Sequence, residues 1–189
     1  MAKRKKLHKV VSNSKLDANN VKNTTNPKSG NKLKFDFSFE GLYYSVRLSG
    51  GRFTNYLSGE TEFVSKFRQI REINSKLMNE NFLALQSNPN VHLHNISGDK
   101  KEIVLNCVGQ ALSKLHTPKY VSENIAQLLG NETIYQIGLN KGVRLIGTYK
   151  NDTGSFRIYL IDYHHRLYPD KKRNTHSKKE LKFCPMKGK

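Results

Sequence analysis

Apolar and polar residues alternate strictly where the globular part of the chain begins. Apolar side chains occupy every second position in two runs separated by Glu40-Gly41: Leu33, Phe35, Phe37 and Phe39, then Leu42, Tyr44, Val46 and Leu48. A period of two places the apolar side chains of a strand on one face. Two such runs joined at a glycine predict an antiparallel β-hairpin over residues 33–48.

The next segments have the spacing of amphipathic helices. Apolar residues recur every three or four positions over residues 63–78, 103–115 and 117–130. The capping-box pattern from Asp99 to Glu102 precedes the second segment, and a Thr-Pro pair opens the third. We therefore expect three helices, with the NVHLHNI stretch before the second forming a short strand.

A second hairpin is predicted near the end of the chain. Residues 143–149 (VRLIGTY) and 156–163 (FRIYLIDY) are rich in β-branched and aromatic residues, and turn-forming residues separate them. Strands and helices thus occur in separate blocks, which is typical of α+β proteins. The prediction is one α+β domain over residues 32–170, in which an antiparallel sheet of two hairpins packs with about three helices and disordered basic arms flank it.

The net charge of +18 is concentrated at the two ends of the chain. Residues 1–34 hold ten Lys and Arg against Asp17, and residues 164–189 hold nine against two acids, which leaves only +2 for residues 35–163. Residues 1–31 are predicted to be a disordered basic arm, and residues 171–189 a basic C-terminal tail. Such a cation excess favours polyanions, because neutralising phosphates releases counterions. RNA or the ribosome is the expected partner, with DNA as the alternative.

The residues expected to bind nucleic acid are cations of the two ends and of the last strand: Arg157, Arg166, Lys171, Lys172, Arg173, Lys3, Arg4, Lys5 and Lys6. No apolar run approaches the ~20 residues that a membrane span requires, and no apolar core follows the charged start as in a signal peptide. We therefore expect a cytoplasmic protein without a membrane partner.

No metal or cofactor site is expected from the sequence. The histidines and the two cysteines lack a CxxC or HxxxH frame, and neither a P-loop nor GxGxxG is present. His164 and His165 would point to opposite faces of a strand, so at most one of them can act with Asp162. Cys107 is predicted to lie in the core and Cys184 in the polar tail.

The segment KGVRLIGTYKNDTGSFRIYLIDYHHRLYPDK, residues 141–171, resembles the C-terminal hairpin of RelE/HigB/ParE-type bacterial toxins. In that family a strand beginning aromatic-Arg-Leu is followed by a turn and a strand that ends in His-x-x-Tyr. The resemblance implies a metal-independent mRNA endonuclease, neutralised by an antitoxin-like protein. It would make Arg144 the phosphate clamp, His165 a proton-transfer group and Tyr168 a stacking or acid/base residue.

Two non-catalytic alternatives remain open. Residues 121–138 (VSENIAQLLGNETIYQIG) have the helix and turn spacing of a helix-turn-helix DNA-binding module. A scaffold that binds RNA or DNA is the other alternative. In it, aromatic residues beside Arg47 and Arg52 would stack on unpaired bases: Tyr43, Tyr44, Phe53 and Tyr56.

Overall fold

The computed structural model describes residues 31–129, 132–139, 142–169 and 180–187. Five strands and four α-helices follow one another in these ranges: β1 Lys34–Asp36, α1 Glu60–Leu77, α2 Phe82–Leu85, β2 His94–Ile96, α3 Gly98–Leu112, α4 Pro118–Leu129, β3 Ile134–Ile137, β4 Arg144–Lys150 and β5 Ser155–Asp162. The arm residues Lys3, Arg4, Lys5 and Lys6, and the tail residues Lys171, Lys172 and Arg173, lie outside the described residues.

The five strands form one sheet in the order β1-β5-β4-β3-β2. Strands β2 to β5 pair antiparallel with their neighbours, whereas β1 pairs parallel with β5. The predicted α+β class is confirmed, and so is the hairpin of β4 and β5, which turns at Gly154 with φ of 69°. The sheet is mixed rather than purely antiparallel, because β1 adds to its edge.

The leading hairpin predicted over residues 33–48 does not form. Only Lys34–Asp36 of that stretch is a strand of the sheet, residues 40–43 form a turn, and Arg47 bridges to Thr54 instead. Many of the alternating apolar residues are nevertheless buried, Leu33, Leu42 and Val46 among them. The alternation correctly indicated burial of these side chains. It did not determine the pairing, because a short apolar strand can pair with any free sheet edge, and here β1 pairs with the free edge of β5.

A β-bulge in the hairpin changes which side chains share a face of the sheet. Ile146 pairs with Leu160 but Gly147 pairs with Ile158, so Tyr159 is the extra residue. Arg157, opposite Thr148, therefore lies on the same face as Asp162, opposite Arg144. Simple alternation along a strand would place Arg157 and Asp162, which are five residues apart, on opposite faces, and the bulge is the reason that they share one.

The two faces of the sheet are covered by different helices. On one face, α3 packs against β5, and its Leu112 lines a cavity together with Arg157 and Tyr159. On the other face, Phe82 of α2 stacks on Tyr149 with ring centroids 3.9 Å apart. The larger part of the hydrophobic core therefore lies on both sides of β4 and β5, which are buried along most of their length.

The three predicted helices are confirmed as α1, α3 and α4, and the short α2, capped by Asn81, adds a fourth. The second helix of the proposed helix-turn-helix is strand β3, whose Ile134 and Ile137 are buried in the sheet. Residues 121–138 therefore do not form that module. Within the described part of the chain, no helix has both the length and the apolar character needed to cross a bilayer.

Residues 180–187 pack against the domain although they follow the boundary predicted at residue 170. Leu181 and Cys184 are buried, and Phe183 exchanges two backbone hydrogen bonds with Leu57 at 2.8 and 3.0 Å. Cys184, predicted to lie in a polar tail, is therefore part of the packed structure. Its burial depends on contacts made more than a hundred residues away, which no local pattern records.

Candidate nucleic-acid interface

Arg144, the first of the three predicted catalytic residues, is buried in the sheet. Its side chain is 1% exposed, and Nη1 donates hydrogen bonds of 2.9 Å to the carbonyls of both Leu139 and Val143. Arg144 also lies directly opposite Asp162 in the strand register, so the two side chains project from the same face. The guanidinium thus fastens the start of β4 to the preceding loop and is not presented to solvent.

Asp162 organises the turn that follows β5. Its carboxylate accepts hydrogen bonds from the backbone N–H groups of His164 at 3.2 Å, Arg166 at 2.8 Å and Leu167 at 2.7 Å. Complete burial raises the pKa of this carboxyl, and the three N–H donors act in the opposite direction. The turn at residues 163–167 is therefore held by hydrogen bonds to one buried carboxylate.

The two adjacent histidines have different environments in this turn. His164 is 8% exposed and faces α1, where the Oε1 atom of Glu62 lies 3.7 Å from its Nδ1 atom. Burial lowers the pKa of His164 to about 4, even though Glu62 raises it. His165 is half-buried and adopts a left-handed backbone with φ of 56°. The strand rule of opposite faces does not apply here, because β5 ends at Asp162.

Because Arg144 is buried, the three predicted catalytic residues Arg144, His165 and Tyr168 do not line one open site. Tyr168 is half-buried, with Lys100 at 5.6 Å from its ring centroid and the ring of His94 at 6.3 Å. Arg166, predicted to bind nucleic acid, is 8% exposed. Arg157 is more accessible and forms an ion pair of 2.6 Å with Asp36 on β1. Of Arg144, Arg157 and Arg166, the predicted cations of the last hairpin and the turn after it, Arg157 is thus the one that remains accessible.

A second group of polar residues lies along the outer side of α3, around the loop at residues 47–54. This loop is closed by a hydrogen bond of 3.0 Å from the Leu48 N–H to the Phe53 carbonyl. Gln110 of α3 holds Arg47 from both sides, because its Oε1 accepts from the Arg47 N–H at 2.8 Å and its Nε2 donates to the Arg47 carbonyl at 3.2 Å. The loop is therefore fixed to the helix.

Two glycines allow this loop to turn. Gly50 and Gly51 have φ values of 65° and 64°, a region that other residues rarely adopt. Between the turn and α3 lies an open cavity of about 640 Å³, whose polar side chains include Arg52 and Asn106. Among the residues that the structure describes, no acidic side chain lines it. Its chemistry suits a phosphate, since Arg, Asn and Gln side chains and backbone N–H groups can all donate hydrogen bonds.

Cations and tyrosines adjoin each other beside this cavity. The guanidinium carbon of Arg47 lies 5.2 Å from the ring centroid of Tyr56, and Lys114 Nζ lies 5.9 Å from Tyr44 and 5.8 Å from Tyr56. Arg47, Arg52 and Lys114 are exposed, whereas both tyrosines are half-buried. We call these five residues the basic–aromatic surface: Tyr44, Arg47, Arg52, Tyr56 and Lys114.

The C-terminal segment, residues 180–187, contacts the part of the chain that carries Tyr44 and Arg47 of the basic–aromatic surface. Arg47 Nη2 donates to the Leu181 carbonyl, and the Cys184 sulfur accepts from the Ser45 N–H at 3.2 Å. Burial raises the pKa of the Cys184 thiol, but hydrogen bonds from Ser45 and Met186 and the charge of Lys114 outweigh it, so that the pKa is lowered. Residues 180–187 thus hold the loop carrying Arg47 in place.

Sequence reasoning found part of this surface. Tyr44, Tyr56, Arg47 and Arg52 were predicted as aromatics beside arginines, but Lys114 was missed. The available signal was the spacing of Asn106 and Gln110 on the polar face of α3 and of Lys114 just after the helix, which recur every four residues. Among the described residues, no group of three His, Cys, Asp or Glu side chains is placed to hold a metal ion.

Comparison with known proteins places the chain in a family. No curated protein and no solved structure matches it. Residues 38–189, about four-fifths of the chain, match the family described as "Uncharacterised protein UU032". The match includes the loop at 47–54, α3 and the C-terminal segment, and it leaves out the first 37 residues. The chain therefore belongs to the UU032 family.

Proposed function

We propose that this protein is a non-catalytic nucleic-acid-binding protein that holds single-stranded RNA on its basic–aromatic surface. The observation that carries the proposal is the placement of Arg47 and Lys114 against Tyr44 and Tyr56, next to the cavity of Arg52. Proteins that bind single strands combine a cationic path for the backbone with aromatic rings for the bases. The net charge of +18 supports the same partner class.

Single strands suit this surface better than a duplex. Stacking on an aromatic ring requires an unpaired base and contributes ~1–3 kcal/mol per base. Duplex recognition in the major groove would need a projecting helix, and the segment predicted to supply one contains strand β3. RNA is preferred over DNA because RNA is the partner class expected from the sequence, and single-stranded DNA is the comparison ligand.

The test is fluorescence anisotropy of the full chain with a labelled uridine oligomer of about 15 nucleotides, titrated at several salt concentrations. Replacing both Arg52 and Lys114 by glutamine should weaken binding and reduce the slope of log K against log salt by about 1.4, since each phosphate contact on a single strand contributes ~0.7. The matched control is glutamine at Arg68 and Arg71, two exposed cations of α1. Equal slopes for the two double variants would refute the proposal.

Metal-independent RNA cleavage stays a separate prediction of the toxin resemblance. The buried guanidinium of Arg144 gives it no support, because a phosphate clamp must reach its substrate. Gel analysis of the RNA after incubation with the wild-type protein and EDTA distinguishes the two hypotheses. Intact RNA is expected from a binding protein, whereas fragments with cyclic phosphate ends would overturn the non-catalytic assignment.

A further inference from the structure

A second, smaller cavity lies at the C-terminal end of α3. It has a volume of about 310 Å³ and is bounded by the loop after β1, the end of α3, the start of α4 and β5. Its wall combines aromatic rings, a carboxylate and a guanidinium: Phe39, Glu40, Tyr120, Arg157 and Tyr159. A small cleft that combines aromatic walls with a few convergent polar groups is a common form of a ligand site.

The polar groups of this cavity are held by neighbouring side chains. Glu40 Oε1 lies 2.6 Å from Nε2 of His116, yet the Glu40 side chain remains 46% exposed. Arg157 contacts Asp36 through Nε at 2.6 Å, and its side chain remains 43% exposed. A carboxylate and a guanidinium thus adjoin the same cavity, each oriented by a partner outside it.

Aromatic rings complete the walls. Phe39 packs edge-on against Tyr159 with ring centroids 5.2 Å apart, so one side of the cavity is rigid. Tyr120 is 39% exposed, and its ring centroid lies 4.0 Å from that of His116. A half-exposed ring of this kind is the common platform for an unpaired base.

The cavity lies beside a cleft that is lined by Lys114 of the basic–aromatic surface. Lys114 of that surface lines a shallow cleft together with His116 and Tyr120, and Tyr120 also lines the cavity. A strand that passes from Arg52 to Lys114 would therefore approach the cavity at Tyr120. Glu40 would repel a phosphate at this end of the path, which suits it to a base rather than to the backbone.

We propose that this cavity binds a single guanine base of the strand held by the basic–aromatic surface, a proposal that rests on the function proposed above. A carboxylate only accepts hydrogen bonds, and guanine offers it two adjacent donors, N1–H and the N2 amino group. An arginine pairs bidentately with the O6 and N7 atoms of guanine. Adenine, cytosine and uracil do not offer both pairs of groups, so Glu40 and Arg157 together select guanine.

The experiment compares three labelled RNA oligomers in anisotropy titrations: all uridine, uridine with one guanosine, and uridine with one inosine, which lacks the N2 amino group. The full-length wild-type protein should bind the guanosine oligomer about tenfold more tightly than the uridine oligomer, with inosine in between. Glu40→Ala should abolish this preference while binding of the uridine oligomer remains, and Glu40→Gln should reduce it, because an amide has only one acceptor oxygen.

Glu80→Ala is the matched control, because it removes the same charge from an exposed glutamate near α2, on the other side of the sheet. It should keep the guanosine preference, and a loss equal to that of Glu40→Ala would overturn the proposal. Equal wild-type affinity for guanosine and uridine oligomers would also overturn it, yet would leave the proposed function standing. Absence of binding to every oligomer would instead refute the proposed function. Free guanosine monophosphate that binds as tightly as the oligomer would contradict a base held within a strand.

Discussion

Replacement of Arg144 by leucine should destabilise the fold, which separates a structural role from the catalytic one implied by the toxin resemblance. The leucine side chain cannot donate to the carbonyls of Leu139 and Val143, which Nη1 of Arg144 contacts at 2.9 Å. Both carbonyls lie next to a side chain that is 1% exposed, so water does not readily replace the lost donor.

The magnitude follows from these contacts. A hydrogen bond to a charged group contributes ~1.5–3 kcal/mol, and the two bonds share one nitrogen, so we take about 3 kcal/mol for the pair. The Arg144 side chain also packs against Gly138, where a Cβ atom would lie 2.8 Å from Cδ, and a smaller side chain leaves space there. We expect a loss of about 3–5 kcal/mol, a large part of the 5–15 kcal/mol typical of a folded domain.

Urea unfolding followed by circular dichroism measures this loss. Arg144→Lys, which retains the charge but not the planar guanidinium, should lose less than Arg144→Leu. Arg71→Leu on the exposed side of α1 is the control, and its unfolding free energy should stay within about 0.5 kcal/mol of wild type. An Arg144→Leu protein with unchanged stability but without RNA cleavage seen in the wild type would refute this reasoning and support a catalytic arginine.

Two further predictions concern the turn after β5 and the bulge between β4 and β5. His164 has a pKa of about 4, below its ordinary 6.5, because it is buried. The stability that depends on its neutral form is therefore complete above pH 6.5 and is lost as the pH falls towards 4, by up to about 3 kcal/mol. In chemical unfolding at a series of pH values, His164→Gln should flatten this profile and the exposed His94→Gln should not; superimposable His164→Gln and wild-type profiles would contradict it. At the bulge, a Cβ on Gly147 would lie 2.0 Å from the Arg157 carbonyl oxygen, so Gly147→Ala should cost about 3 kcal/mol or more, whereas Gly142→Ala has open space. Thermal unfolding compares the two, and equal melting temperatures would disprove the steric argument.

The elements with strong local signals were predicted correctly. Helices α1, α3 and α4 follow from apolar positions spaced at three and four, and hairpin β4–β5 follows from two β-branched runs around a turn. In each case the signal and the contact that satisfies it lie within a few residues of each other. Strand β3 was missed because IYQI is only four residues long and follows directly after a helical pattern.

The proposed interface could be predicted only in part, for the same reason. Arg47, Arg52 and Tyr56 are close in the chain, so their association was visible in the sequence. Gln110 of α3 and Lys114, which follows that helix, join them from more than fifty residues away. The Leu181 carbonyl accepts a hydrogen bond from Arg47 and lies beyond the predicted end of the domain. Packing of the core brings such distant residues together. The local sequence pattern does not predict these contacts.

By itself, the sequence determined the α+β class, the concentration of positive charge at the two ends and the burial of most of the periodic apolar residues, because these depend on composition and local periodicity. The tertiary structure decided which strands and side chains pack against one another. It paired β1 with β5, buried Cys184, and moved Arg157 to the face of Asp162 through one bulge residue. It also enclosed Arg144, the phosphate clamp that the toxin resemblance implied. Alternation of apolar and polar residues indicates that a side chain is buried, but it does not identify the residues against which that side chain packs. Burial is favourable in many arrangements, and only the close packing of all elements selects one of them.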